Sequence, residues 1–356
     1  MGGSTSRIAL FAAVVISLAG CSQAARSQPT DATTGSPDAT ATATAGPRAL
    51  ESEFEQVIRT VLPSIVQITT ENGLGSGIVY DNAGHIVTNA HLVGQAKQFQ
   101  VTLATGGAAR TAKLVGSFSI GDLAVIKVDD PAGLNPATFG DSSKLRVGQI
   151  VMAMGNPLGL SGSVTEGIVS ALGRTVEEPS ADESASATIT GAIQTSAAIN
   201  PGNSGGALVN LSGEVIGIPT LTAVNPELGG GAAPGIGFAI PSNTATDIAA
   251  QIIKYGKVVN TRRAALGVTV QTVISTDGRP VGAGVARVTP GGGADQAGVK
   301  AGDVILSVNG TPTPTTQDLS EVLGTLKPGD QAKVEVLHPG GSTETLAVRL
   351  GELPTG

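Results

Sequence analysis

Three residues of this chain have the types and the order that acyl transfer needs. They are His91 in Thr88-Asn89-Ala90-His91, Asp122 in Gly121-Asp122-Leu123-Ala124-Val125, and Ser204 in Gly202-Asn203-Ser204-Gly205-Gly206. A serine hydroxyl is a poor nucleophile at neutral pH and needs a base within hydrogen-bond reach. An imidazole can take its proton and later return it to a leaving amine, while a buried carboxylate fixes the tautomer and stabilises the imidazolium. His91 is therefore read as the general base, Asp122 as the group that orients it and Ser204 as the nucleophile. Leu123, Val125 and Ile126 follow the aspartate, which suits a carboxylate at the start of a core strand. Gly202 and Gly205 let the backbone turn tightly, so the amides of Gly202, Asn203 and Ser204 are candidates to hold a developing oxyanion.

The serine motif also fits the G-x-S-x-G elbow of an α/β-hydrolase. That reading needs a histidine after the serine and a helix opening at it. The only later histidine, His338, adjoins Pro339-Gly340, and Ala207-Leu208-Val209 runs instead through Ser212-Gly213 into Val215-Ile216-Gly217-Ile218, a hairpin signature. An esterase is disfavoured on both counts, and the His–Asp–Ser order within β structure points to a chymotrypsin-type arrangement.

Two groups of strand-like runs position these residues: 64–69, 77–80, 86–88, 98–103, 112–117 and 123–128, then 150–154, 163–171, 192–195, 206–210, 215–220 and 235–240. Two successive sets of six predict two barrels with a cleft between them. Leu50, Phe54, Val57, Ile58 and Val61 recur at helical spacing before Pro63. A helix is expected over 244–255, capped by Ser242 or Asn243, and another near 316–324. A linker at 256–263 leads to a small α/β module. The expected class is mainly β, with a signal segment at 1–20, a tether at 21–49, the double barrel at 50–258 and the module at 264–352.

The chain has 356 residues, 40% of them apolar but only 2% aromatic, with 50 glycines and 20 prolines. Aliphatic side chains must fill the cores, and the turns are many. A net charge of −7, with Arg262-Arg263 the only basic cluster, disfavours a nucleic-acid partner. No cofactor is implied, no His/Asp/Glu group has metal-ligand spacing, and one cysteine excludes an internal disulfide. That Cys21 ends Leu18-Ala19-Gly20-Cys21, after Arg7 and the apolar run from Ile8 to Leu18. A basic start, a short apolar stretch and small residues form an export signal, here similar to a bacterial lipoprotein signal whose cysteine is lipidated. The expected location is outside the cell membrane, held by lipid at Cys21, or the periplasmic side of a two-membrane envelope. The Ala/Thr/Ser/Pro-rich tether cannot bury enough surface to fold alone.

The motifs Gly75-Ser76-Gly77, Thr88–His91, Gly121–Val125, Gly155-Asn156-Pro157, Gly167-Ile168-Val169-Ser170, Ala198–Gly206 and Gly237-Phe238-Ala239-Ile240-Pro241 together resemble the bacterial HtrA/Deg-type serine proteases with one PDZ domain. The resemblance covers about residues 50 to 350. It implies ATP-independent cleavage of unfolded or damaged envelope proteins, often by a trimeric core. It also implies a PDZ domain at the C-terminal module, with Ala265-Leu266-Gly267-Val268 as the loop that binds peptide C-termini and Leu266, Gly267 and Val268 at its site. Such loops aim backbone amides at a terminal carboxylate while the peptide adds a strand. Family members commonly carry Asn at the position of Ala90, Thr at Gly121 and Asp at Ser196. The position six residues before the nucleophile, acidic in trypsin-like pockets, is Ala198. Cleavage is expected after small or medium aliphatic residues, with Ile218, Thr220, Leu221 and Thr222 near the pocket. Two loops, 174–186 and 225–235, are read either as weakly stable elements that order on activation or as solvated surface loops with no regulatory part. The rival reading is a catalytically idle chaperone or PDZ adaptor of the same fold.

Overall fold

Residues 47–71, 73–156, 162–177, 187–200, 202–225 and 231–355 are described by the computed structural model, without the side chains of 47, 221–225, 231, 232 and 234. The signal segment, Cys21 and the tether up to residue 46 lie outside the described residues. Helix α1 (Pro47–Val61) opens on a proline, which suits a first helical turn whose amide has no partner. It packs through Phe54, Val57, Ile58 and Val61. Pro63 lies in the 3₁₀ turn that ends it.

Six strands form the first closed barrel: β1 (Ile65–Thr69), β2 (Leu74–Val79), β3 (His85–Thr88), β4 (Gln98–Leu103), β5 (Arg110–Phe118) and β6 (Leu123–Val128), in the order β1-β2-β3-β6-β5-β4. The short helix α2 (Ala90–Val93) follows β3. The second barrel comprises β7 (Ile150–Gly155), β8 (Ser163–Glu177), β9 (Thr188–Thr195), β10 (Ala207–Asn210), β11 (Val215–Asn225) and β12 (Gly231–Pro241), in the order β10-β11-β12-β9-β8-β7.

Alternation along each strand explains the cores. Ala124, Ile126 and Val128 of β6 enter the first barrel, whereas Leu123 and Val125 face a core shared by both barrels. On β7, Val151 and Ala153 fill the second barrel while Met152 and Met154 join that shared core. Strands buried on both faces read as unbroken apolar runs. Helix α3 (Ser242–Tyr255) closes the shared core with Ile248 and Ile252.

The two loops expected to be weakly stable are partly strand. β8 and β9 stay paired out to Glu177 and Thr188, and β11 and β12 out to Asn225 and Gly231, with register shifts along each pair. Backbone ladders continue there through Gly, Ala and Glu residues with little strand propensity. Residues 178–186 and 226–230 lie outside the described residues. The caps of α3 also differ from expectation. The helix starts at Ser242, whose hydroxyl donates to Gly140 O at 2.7 Å, and the Asn243 side chain donates to Asp141 Oδ1 at 2.8 Å. Both side chains tie the helix to residues 140–141 instead of capping it.

The linker is pinned to α3. Gln251 accepts the amides of Val259 and Asn260 and donates to Asn260 O, and Arg262 makes a two-point ion pair with Asp247 at 2.7 and 2.8 Å. Beyond it, β13 (Ala264–Ala265) pairs with β20 (Gly351–Glu352). The main sheet runs β14 (Val268–Ile274), β15 (Pro280–Val288), β16 (Val304–Val308), β18 (Gln331–Leu337), β19 (Thr343–Arg349), with β17 (Thr311–Pro312) beside β16. Helices α4 (Gly293–Ala297) and α5 (Thr316–Gly324) flank it, α5 opening with a capping box between Thr315 and Asp318. Val285, Ile305, Leu319, Val334 and Val336 form the core of this module.

Candidate active site

The first barrel supplies the His–Asp pair. His91 sits on α2 just after β3, and Asp122 occupies the left-handed residue (φ 52°) between a 3₁₀ turn and β6. Antiparallel pairing of β3 with β6 brings the two strand ends together. Asp122 is 1% exposed, while the His91 side chain is 34% exposed. The carboxylate accepts the His91 amide at 2.9 Å, and the ring Nδ1 lies 3.0 and 2.9 Å from its two oxygens. It also accepts the Thr220 hydroxyl of β11. Three donors hold the buried carboxylate in one orientation. Asn89, fully buried, donates its side-chain amide to Asp122 O at 3.0 Å.

The second barrel supplies the serine, on the turn between β9 and β10. Ser76 of β2 docks that turn onto the first barrel. Its amide donates to Ser204 O at 3.1 Å and its hydroxyl to Gly202 O, while it accepts the Asn156 amide at 2.8 Å. Glycine is needed here for close approach: at Gly205 (φ 78°) a Cβ would lie 2.3 Å from Ser76 O, and at Gly206 2.1 Å from Met154 O. The Asn203 side chain braces the same turn, accepting the Asn200 amide at 3.0 Å and donating to Ala198 O at 2.9 Å. The Ser204 hydroxyl donates to Thr220 O at 3.3 Å.

Of the three amides expected to face an oxyanion, that of Asn203 is spent on Asn200 O at 3.1 Å. Ser76 pulls the Gly202 carbonyl the opposite way, which fixes that peptide plane. The amides of Gly202 and Ser204 make no backbone hydrogen bond among the described residues.

These features match known proteins. Residues 75–218 match the trypsin-like peptidase domain, and residues 264–350 match the PDZ domain. The periplasmic pH-dependent serine endoprotease DegQ of Escherichia coli is 41% identical over 280 residues, which cover 76% of this chain and 58% of that protein. A probable periplasmic DegP-like serine endoprotease of Pseudomonas putida is 41% identical over 288 residues, covering 79% and 56%. The chain thus spans little more than half the length of these relatives. The solved HtrA-type protease AlgW with decapeptide is 30% identical, with a TM-score of 0.60, covering 85% of this chain and 99% of that one. The chain belongs to the HtrA-type serine protease family. The serine endoprotease from Yersinia pestis, 34% identical with a TM-score of 0.58, covers 85% of this chain and 98% of its own.

Within this HtrA-type chain the expected pocket needs revision. Ile218 is fully buried in the core between the barrels, so its side chain lines no pocket. Thr220 is buried and turned to Asp122. Ala198 is exposed, and the side chains of Leu221 and Thr222 lie outside the described residues. The departures from the family pattern have visible consequences. Ala90 is buried, Ser196 accepts the Ile168 amide at 3.0 Å, and Gly121 lies against the Phe118 ring.

In the PDZ loop, Leu266 is buried in the module's core, Gly267 has φ 81°, and Val268 begins β14. The Leu266 carbonyl accepts from Ala294 at 2.9 Å and the Gly267 carbonyl from Thr289 at 2.8 Å. Within one planar trans peptide the N–H points opposite to its carbonyl. The amides of Gly267 and Val268 therefore face away from those bonds. All three loop residues line a cavity of about 810 Å³.

Sequence reasoning missed the parts played by Ser76, Asn89 and Thr220. Ser76 and Asn89 stood within quoted motifs, yet nothing local marks which backbone group a buried polar side chain will meet. The Thr220–Asp122 bond spans 98 positions.

Proposed function

We propose that the chain is an exported serine endopeptidase that hydrolyses peptide bonds of unfolded or damaged envelope proteins through an acyl-enzyme. The observation that carries this is the buried Asp122 carboxylate gripping both the ring and the amide of His91 beside the Ser204 turn. His91 takes the Ser204 proton as the oxygen attacks the carbonyl carbon, and the amides of Gly202 and Ser204 receive the negative oxygen. Collapse expels the amine with the proton from His91. Water then repeats the sequence and releases the acid. The methyl group of Ala198 offers no counter-charge to a basic side chain, which favours cleavage after small or medium aliphatic residues. The Leu266–Val268 loop binds peptide C-termini of substrates or of a regulator. Lipid at Cys21 tethers the enzyme to a membrane, and no helix among the described residues is long and apolar enough to cross one. By family resemblance the active unit is a homotrimer.

The test is casein degradation by residues 22–356 beside the Ser204→Ala variant. Cleavage lost in the variant supports the reading. A second reading, a resting or binding form of the same fold, is favoured by the Ser204 hydroxyl donating to Thr220 O. Intact casein with both proteins, and no labelling of Ser204 by a fluorophosphonate, would favour the idle form.

A further inference from the structure

Ser76 is fully buried on β2, and each of its polar atoms is engaged. Its carbonyl accepts the hydroxyl of Thr88, three residues before His91, at 2.7 Å. Its amide donates to Ser204 O at 3.1 Å. One residue of the first barrel thus joins the strand that leads to the base with the residue that bears the nucleophile. That backbone link needs no particular side chain. The hydroxyl has a separate task.

A hydroxyl has one proton to give and two lone pairs. The Asn156 amide, just past β7, occupies a lone pair at 2.8 Å, and the proton goes to Gly202 O. Gly155 closes on the same spot: a Cβ there would lie 2.6 Å from Gly202 O and 2.8 Å from Ser76 Oγ. Truncation of the hydroxyl vacates one oxygen atom's width, too little for a water to take over the bond. Gly202 O and the Asn203 N–H belong to one planar peptide, and the N–H is held by Asn200 O at 3.1 Å. The plane is therefore gripped at both edges, with the Gly202 amide before it and the Ser204 amide after it. Release of the carbonyl lets the plane turn about the Gly202 Cα–C bond. The negative end of a peptide dipole then comes nearer to where the oxyanion forms. Gly202 has φ 114° and no Cβ to oppose that rotation.

Resting on the reading of the chain as a serine endopeptidase, we infer that the Ser76 hydroxyl is a positioning group for the oxyanion amides, acting from the opposite barrel through the Gly202–Asn203 peptide. Being buried, it touches no substrate. Its loss weakens the hold on the tetrahedral intermediate and leaves ground-state binding alone.

The experiment compares wild type, Ser76→Ala and Ser76→Cys in hydrolysis of a chromogenic peptide anilide with valine before the scissile bond. It also measures binding of the matching peptidyl boronic acid, whose adduct with Ser204 is tetrahedral. Rates are referred to active sites counted by exhaustive fluorophosphonate labelling, so that an unstable variant is not mistaken for a slow one. Ser76→Ala should lower kcat about ten-fold or more, keep KM within about two-fold and weaken the boronate by a factor similar to that in kcat. Ser76→Cys keeps the shape with a weaker donor. It should fall between the two and decides the matter if the alanine variant does not fold. Wild-type kcat and boronate affinity in the folded variants, or a change confined to KM, would overturn the assignment while leaving the protease standing. A wild type that neither hydrolyses the anilide nor binds the boronate would remove the endopeptidase reading and the inference with it.

Discussion

Asn89 donates its side-chain amide to the backbone carbonyl of Asp122 at 3.0 Å, from a position with no solvent exposure. Its own Oδ1 is buried without a partner. Leaving such a group unpaired costs about 1–3 kcal/mol, so the donor must offset it. What it secures is a non-glycine residue at φ 52°, a strained backbone that bears the carboxylate. Asn89→Ala should lower kcat about ten-fold with little change in KM, because the imidazole loses alignment and the substrate groove is untouched. A fall confined to KM in peptide hydrolysis would refute a positioning role.

Thr220 acts on the same carboxylate from the opposite barrel. Thr220→Val keeps the shape and removes the donor to Asp122. The expected outcome is a loss in kcat of about ten-fold or more, with the melting temperature within a few degrees of wild type. Full activity in Thr220→Val would make the contact incidental.

The strands of both barrels were legible because runs such as Ile-Val-Gln-Ile-Thr and Leu-Ala-Val-Ile-Lys-Val bury β-branched residues on both faces. The pairing of His91 with Asp122 was legible because each lies close to the end of a strand, and β3 pairs with β6. The strand extensions to Glu177 and Gly231 were not, since pairing there depends on backbone partners and not on side-chain pattern. Nor was Ile218, whose placement in the inter-barrel core follows register shifts along β10–β11 and β11–β12.

The PDZ module carries a charge cluster with a pH signature. His338 Nδ1 lies 2.8 Å from Oδ1 of the buried Asp303, and Nε2 lies 3.3 Å from Glu344 Oε2. The hydrogen bond to Asp303 first, then that to Glu344, hold the imidazole pKa above its ordinary 6.5. A group whose pKa is raised by folding stabilises the fold below the unfolded value, and that contribution fades as pH rises through the folded value. The melting-temperature gap between wild type and His338→Gln should thus be widest below the ordinary histidine value and narrow as the pH rises above it. A gap that widens on going alkaline would contradict the sign.

Gly121 is the departure from the family pattern with the clearest structural cause. A Cβ there would sit 2.5 and 2.7 Å from the Phe118 ring, closer than carbon atoms approach. The ring fills the space that the family's threonine needs, and Gly121 immediately precedes Asp122. Gly121→Thr in the wild-type background must displace Phe118 or twist the turn bearing the carboxylate. Overpacking of this kind costs about 1–3 kcal/mol, and kcat should fall with it. Phe118→Leu alone trims a buried ring and should cost stability with a smaller effect on rate. Combining the two should recover activity relative to Gly121→Thr, because the smaller side chain frees the volume the threonine takes. A double-mutant cycle on kcat/KM and melting temperature reads this as a favourable coupling of about 1 kcal/mol or more. Strict additivity would mean that the ring and the glycine are independent.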